Sequence, residues 1–249
     1  WVRFFDYVKD VFLKLDFGNS YRTGKPVFDD IFMRLPVSIK VAFLGMLLAT
    51  VMGLPLGVLS AVKQYSPADS FLRVASTVLV AMPTFWLAML LILVFALYLG
   101  WLPAGGALTW QSYILPTITV GVPYGSKVLR MTRSTMLEEI RQDYVRTARS
   151  KGVPEKKVIY GHALKNALLP VITTIGSAFG AILGGSVIAE SVFNLPGLGS
   201  LIVLSIKAKD TPSVLASVLL LAVFFAIIML IVDLVYAFID PRIKAKYAK

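Results

Sequence analysis

A chain of 249 residues that is 57% hydrophobic and 16% charged departs from the soluble norm of about 45–50% apolar and about 25% charged. Its apolar residues fall in runs bounded by charge, so the length divides into membrane spans of about 20 residues rather than into soluble domains. The absence of cysteine excludes disulfides and thiolate metal sites, and the net charge of +11 sits between the apolar runs, which favours a membrane over a nucleic acid as partner.

Residues 1–35 are amphipathic, with an apolar rhythm at Val8, Val11, Phe12 and Leu15. The turn-forming stretches Gly18-Asn19-Ser20 and Gly24-Lys25-Pro26 follow, and the whole reads as an extracytoplasmic segment. Membrane helices are predicted at 36–62, 71–100, 112–135, 167–190 and 213–239. The first carries Gly53, Pro55 and Gly57; the second carries Pro83 and ends at Gly100-Trp101. The third is the weak one, because Lys127 and Arg130 leave too short an uncharged run, and it spans only if those cations snorkel or face a wet cavity.

Ten Lys and Arg lie between 127 and 167, against none between 100 and 112. Summed over all loops, sixteen basic residues fall on one side and nine on the other, so 136–166 and the tail 240–249 are expected in the cytoplasm. Five spans then put Trp1 outside, which predicts a further transmembrane helix before it.

Asp143, Tyr144, Val145, Arg146, Thr147, Ala148, Arg149, Ser150, Lys151 and Gly152 read as a short helix with a glycine stop, and Pro154 opens a second helix. Such an elbow gives a partner protein something rigid to push; the residues fit equally a basic loop drawn to anionic headgroups. Gly176, Gly180 and Gly184 share a face, suited to close helix packing within the subunit or across a subunit pair. Glu190, with Asn194 nearby, ends the fourth run and reads as a contact for substrate or a docked protein, or as a solvated loop charge. Asp233 is costly in lipid and is a candidate for function or for pairing with an arginine or a free backbone donor.

Arg146-Thr147-Ala148 with Gly152, running on to His162-Ala163-Leu164-Lys165-Asn166-Ala167-Leu168-Leu169-Pro170, resembles the cytoplasmic signature of bacterial ABC importer permeases of the oligopeptide, dipeptide and nickel branch. Glu190 through Gly199, Asp240-Pro241-Arg242, and Phe17 through Pro36 are similar to that branch as well. Arg146 and Thr147 replace the Glu-Ala of the general signature, and Leu164-Lys165 stands where Leu-Pro is usual; both departures are typical of the branch.

The resemblance implies an all-α membrane protein with the type I ABC importer permease fold, as one transmembrane domain over 1–249 in the bacterial inner membrane. Five helices are visible, and the first of a six-helix subunit is missing. It implies a second permease, homologous or identical, two ATPase subunits docked on 143–152, an extracytoplasmic solute-binding protein, and a peptide or a nickel or metal chelate as cargo. Gly121 to Lys127 makes no phosphate-binding loop, so ATP is expected on the partners, and no cofactor, metal or nucleic acid on this chain. His162 is the sole histidine, and no nucleophile and base pair presents itself. The alternatives are an ion-coupled secondary transporter, which would want paired midplane charges, and an intramembrane enzyme.

Overall fold

The computed structural model describes Phe5, Lys9, Val11, Leu13 and residues 16–239, with side chains up to Val232 and at Leu234. The tail 240–249 lies outside the described residues. From Val27 onward the elements are helices: α1 (Val27–Val62), α2 (Pro67–Ala81), α3 (Thr84–Leu91), α4 (Ile114–Ile140), α5 (Asp143–Ser150), α6 (Leu164–Val192), α7 (Leu198–Lys207) and α8 (Thr211–Ile239). A π-helix at Ile92–Tyr98 extends α3, and a short lead-in, Glu155–Lys157 then a π-turn at Val158–Ala163, runs into α6.

Helix α1 starts nine residues before the expected boundary at 36. Asp29 and Asp30 occupy its first turn, where carboxylates favour the helix dipole, and Val27 and Ile31 are buried one turn apart on its inner face. The predicted helix 71–100 is two helices bent by 103°. Met82 stands extended at φ −68° and ψ 129°, the conformation a following proline imposes, so Pro83 divides the run. Ser66 caps α2 by accepting the Asp69 N–H at 3.2 Å, and Pro67 takes the first position.

Among the described residues, α1, Glu155–Val192 and Thr211–Val232 suffice by length and composition to cross a membrane, and the bent pair makes a fourth at most. Helix α4, expected over 112–135, runs from Ile114 to Ile140 and is long enough, but with Lys127, Arg130, two prolines and two glycines in its apolar half it is not apolar enough to stand with these spans. Helix α7 occupies a stretch expected to be a plain connection.

The chain groups into two compact units, one of 1–43, 84–119 and 183–226, the other of 44–83, 120–182 and 227–249. In the first, Phe17, Val27, Ile31, Leu198, Leu201 and Ala216 form the apolar core. In the second, α1 and α4 meet through small residues. A Cβ on Gly53 would lie 2.5 Å from the Gly125 carbonyl, and one on Gly57 would lie 2.7 Å from that of Leu129. Gly45, Ala49, Gly53 and Gly57 recur every fourth residue and face Gly121 and Gly125, the close packing on which membrane helix pairs depend.

Candidate functional site

Val145 and Ala148, three apart, form one face of α5 and are buried with Val58, Ala61, Met136, Val158, Ile159, Ala163 and Ala167. The helix stops in a Schellman motif: Gly152 takes φ +74°, its N–H donates to the Arg149 carbonyl at 2.9 Å, and the Val153 N–H donates to the Ala148 carbonyl at 3.2 Å. Val153 packs back on the same cluster, completing the apolar contact that accompanies this cap. Pro154 then precedes Glu155, and its carbonyl accepts the Lys157 and Val158 N–H groups at 2.8 and 3.0 Å.

A two-bond ion pair braces the turn. Arg149 Nη2 and Nε reach Glu155 Oε1 and Oε2 at 2.7 and 3.1 Å. Both groups are exposed, so the bond fixes geometry more than it adds stability. Tyr144 donates its hydroxyl to Glu139, and burial, then that bond, pushes its phenol upward.

The ten elbow residues therefore divide. Val145 and Ala148 are packed into the chain's own apolar cluster. Asp143, Tyr144, Arg146, Thr147, Arg149, Ser150, Lys151 and Gly152 are exposed.

Glu190 is neither a solvated charge nor a free contact for cargo. It is fully buried, and its Oε2 accepts the backbone N–H of Gly199 at 2.7 Å and of Ser200 at 3.3 Å, while Ser186 Oγ donates to Oε1 at 3.0 Å. Ser38 Oγ accepts the Leu198 N–H at 2.8 Å, so the first three donors of α7 are all satisfied by side chains. A Cβ at Gly199 would lie 2.9 Å from Glu190 Oε2, and one at Gly197 would lie 2.5 Å from its Cδ; glycine at both positions admits the carboxylate. Asn194 is exposed at φ +49° and lines a cavity of about 530 Å³ with Arg34, Leu108 and Lys207.

The three glycines of α6 do not act alike. Gly176 is buried, and a Cβ there would come within 2.6 Å of Val232 Cγ1, a close contact with α8 inside the subunit. Gly180 is buried, whereas Gly184 is exposed with nothing within 4 Å of where its Cβ would be. Asp233 lies in α8, but its side chain is outside the described residues.

Two clusters escaped the sequence. Asp69, fully buried, receives Arg133 Nε and Nη2 at 2.7 and 2.9 Å, Ser60 Oγ at 2.6 Å and the Tyr65 N–H at 3.0 Å. Asp210 accepts Ser20 Oγ at 2.5 Å, Ser213 Oγ at 2.8 Å and the Tyr21 N–H at 3.0 Å, tying the 18–26 turn to the start of α8. Burial by itself would raise the Asp210 carboxyl, but these donors together hold it below its usual range.

Apolar helices long enough to span a bilayer, small-residue helix contacts, and a short polar-faced helix seated on an apolar cluster define a multi-pass membrane protein. The binding-protein-dependent transport system inner membrane component family matches residues 53–245. A glutathione transport system permease protein GsiC of Salmonella typhimurium is 41% identical over 245 residues, 98% of this chain and 80% of that protein. Its namesake from Escherichia coli is 40% identical over 244 residues, 98% and 79% of the two. A MetNI methionine ABC transporter in an inward-facing conformation matches with a TM-score of 0.70 at 17% identity, covering 85% of this chain and 96% of that one. An amino acid ABC transporter matches at 0.62 and 16%, covering 86% and 94%; both likenesses concern the fold. The chain belongs to the binding-protein-dependent transport system inner membrane component family and is a permease subunit of an ABC importer. Nothing in the family or the relatives favours a secondary transporter or an intramembrane enzyme.

Proposed function

We propose that this permease carries small peptides of the glutathione or dipeptide kind across the bacterial inner membrane, paired with a second permease. Two separate ATPase subunits bind the ATP and dock on the exposed face of α5, and an extracytoplasmic binding protein delivers the cargo. The peptide reading rests on the glutathione transport for which the relatives at 40–41% identity are named; the nickel and metal-chelate part of the expectation has no counterpart in those two proteins.

The observation that carries the docking assignment is the division of α5: Val145 and Ala148 anchor it in the chain's own core while Tyr144, Arg146, Thr147 and Ser150 stay exposed. A short helix held from behind and capped by a Schellman turn moves as part of the body that holds it, which suits rigid-body alternating access. Cysteines placed singly at Thr147 and Ser150 test this in the assembled transporter. Both should cross-link to an ATPase subunit through a short reagent, and Val145→Cys should not. Cross-linking of neither exposed position would remove the assignment.

A further inference from the structure

The cleft between α2 and α4 holds charges that the transport reading does not use. Arg73, Ser76 and Thr77 of α2 face Arg130, Arg133 and Ser134 of α4 around a cavity of about 230 Å³. Arg133 is neutralised by Asp69 at the cleft's edge. Arg73 and Arg130 are exposed and have no ion pair among the described residues, so the cleft keeps two uncompensated guanidinium groups.

An adjoining cavity of about 400 Å³ shares Arg73 and Thr77 and continues over Ser70, Val74 and Val78. These five residues make one face of α2 at three- and four-residue spacing. Val74 and Val78 are 65% and 47% exposed, and Phe71 beside them is 71% exposed, an open apolar wall.

Two cations at the head of an apolar groove, on helices of a membrane protein, match a ligand with an anionic head and a hydrocarbon tail. Arg73 lies six residues from the start of α2, roughly 9 Å along it, within the reach of a stem that snorkels to the headgroups. We infer that this cleft binds an anionic phospholipid of the leaflet on the elbow's side, its phosphate held between Arg73 and Arg130 and its acyl chain laid along Val74 and Val78. Guanidinium forks suit phosphate oxygens, and basic pockets between membrane helices bind such headgroups.

The test uses the assembled transporter in mild detergent, titrated with spin-labelled phosphatidylglycerol and phosphatidylcholine. Wild type should prefer phosphatidylglycerol. Arg73→Gln and Arg130→Gln should each weaken that preference by roughly fivefold, the share of one basic side chain near an anionic surface, and Arg22→Gln, at an exposed site elsewhere, should leave it unchanged. A lack of preference in wild type, or an undiminished preference in Arg73→Gln/Arg130→Gln with unchanged melting temperature, would overturn the site. Water-soluble glycerophosphoglycerol should fail to compete; competition at lipid-like concentration would make it a site for free phosphate esters instead. Cross-linking of Thr77→Cys to the second permease would show a subunit interface and likewise overturn the lipid assignment.

Discussion

The Glu190 carboxylate lies 2.7 Å from the backbone nitrogen of Gly199, nine residues ahead, and that bond together with the Ser38 hydroxyl sets where α7 begins. Glu190→Ala leaves two N–H groups without an acceptor and should cost about 1–3 kcal/mol. Glu190→Gln keeps an acceptor oxygen and should cost less. Gly199→Ala adds a Cβ 2.4 Å from Val187 Cα, and overpacking should cost about 1–3 kcal/mol. Melting temperatures of the purified permease, ranked wild type, Glu190→Gln, Glu190→Ala, check the order; equal values for the last two would show that the carboxylate does not cap α7.

Asp69 and Arg133 should behave as a coupled pair. Removing one partner from a buried ion pair costs about 3–5 kcal/mol, because the other charge is left unpaired. Asp69→Asn and Arg133→Gln should each lower stability strongly, and the double variant should lose less than the sum. Simple additivity in a double-mutant cycle would contradict the bidentate geometry.

Much of this was legible in the sequence, though unevenly. Gly152, Pro154 and the spacing of Val145 and Ala148 announce the elbow, because a cap and a helical face are local. Which face points inward is not local: Ala148 meets Val158, Ala163 and Ala61, and only the tertiary packing places them. Asp69 and Arg133 are 64 residues apart, one in an expected loop and the other near the end of an expected helix, and nothing pairs them until the chain brings them together. Pro83 is plain in the sequence but its effect is not, since a proline in an apolar run is tolerated in some membrane helices and divides others. The repeat Gly45, Ala49, Gly53, Gly57 and the glycines that follow Glu190 were signals that could have been read from spacing alone.

Ala148→Asp places a charge inside the core of the elbow's own unit. It should destabilise the permease itself by a few kcal/mol, seen as lower yield and melting temperature before any partner is added. Gly152→Val forces a β-branched residue to φ +74° and should cost about 1–3 kcal/mol locally, read as faster amide exchange at 149–153. Wild-type exchange there would contradict the Schellman cap.

Asp210 gives the 18–26 turn a pH dependence. Its folded carboxyl titrates below the unfolded value of about 3.9, so its stabilisation is complete above that pH and is lost as pH falls through the lower folded value. Proteolysis within 18–26 should therefore rise on acidification below about pH 4 and should be raised already at neutral pH in Ser20→Ala, which removes one donor. An unchanged cleavage rate in both cases would sever the link between this turn and α8.

The docking of ATPase subunits on α5 is tested most directly by ATP consumed per cargo molecule imported in proteoliposomes holding the complete transporter. Thr147 is exposed, so Thr147→Trp should leave the permease's melting temperature unchanged while adding bulk on the docking face. The account predicts that this variant either loses its ATPase subunits or hydrolyses ATP with import reduced at least tenfold. Import at the wild-type rate and wild-type ATP cost, with the subunits still bound, would contradict it.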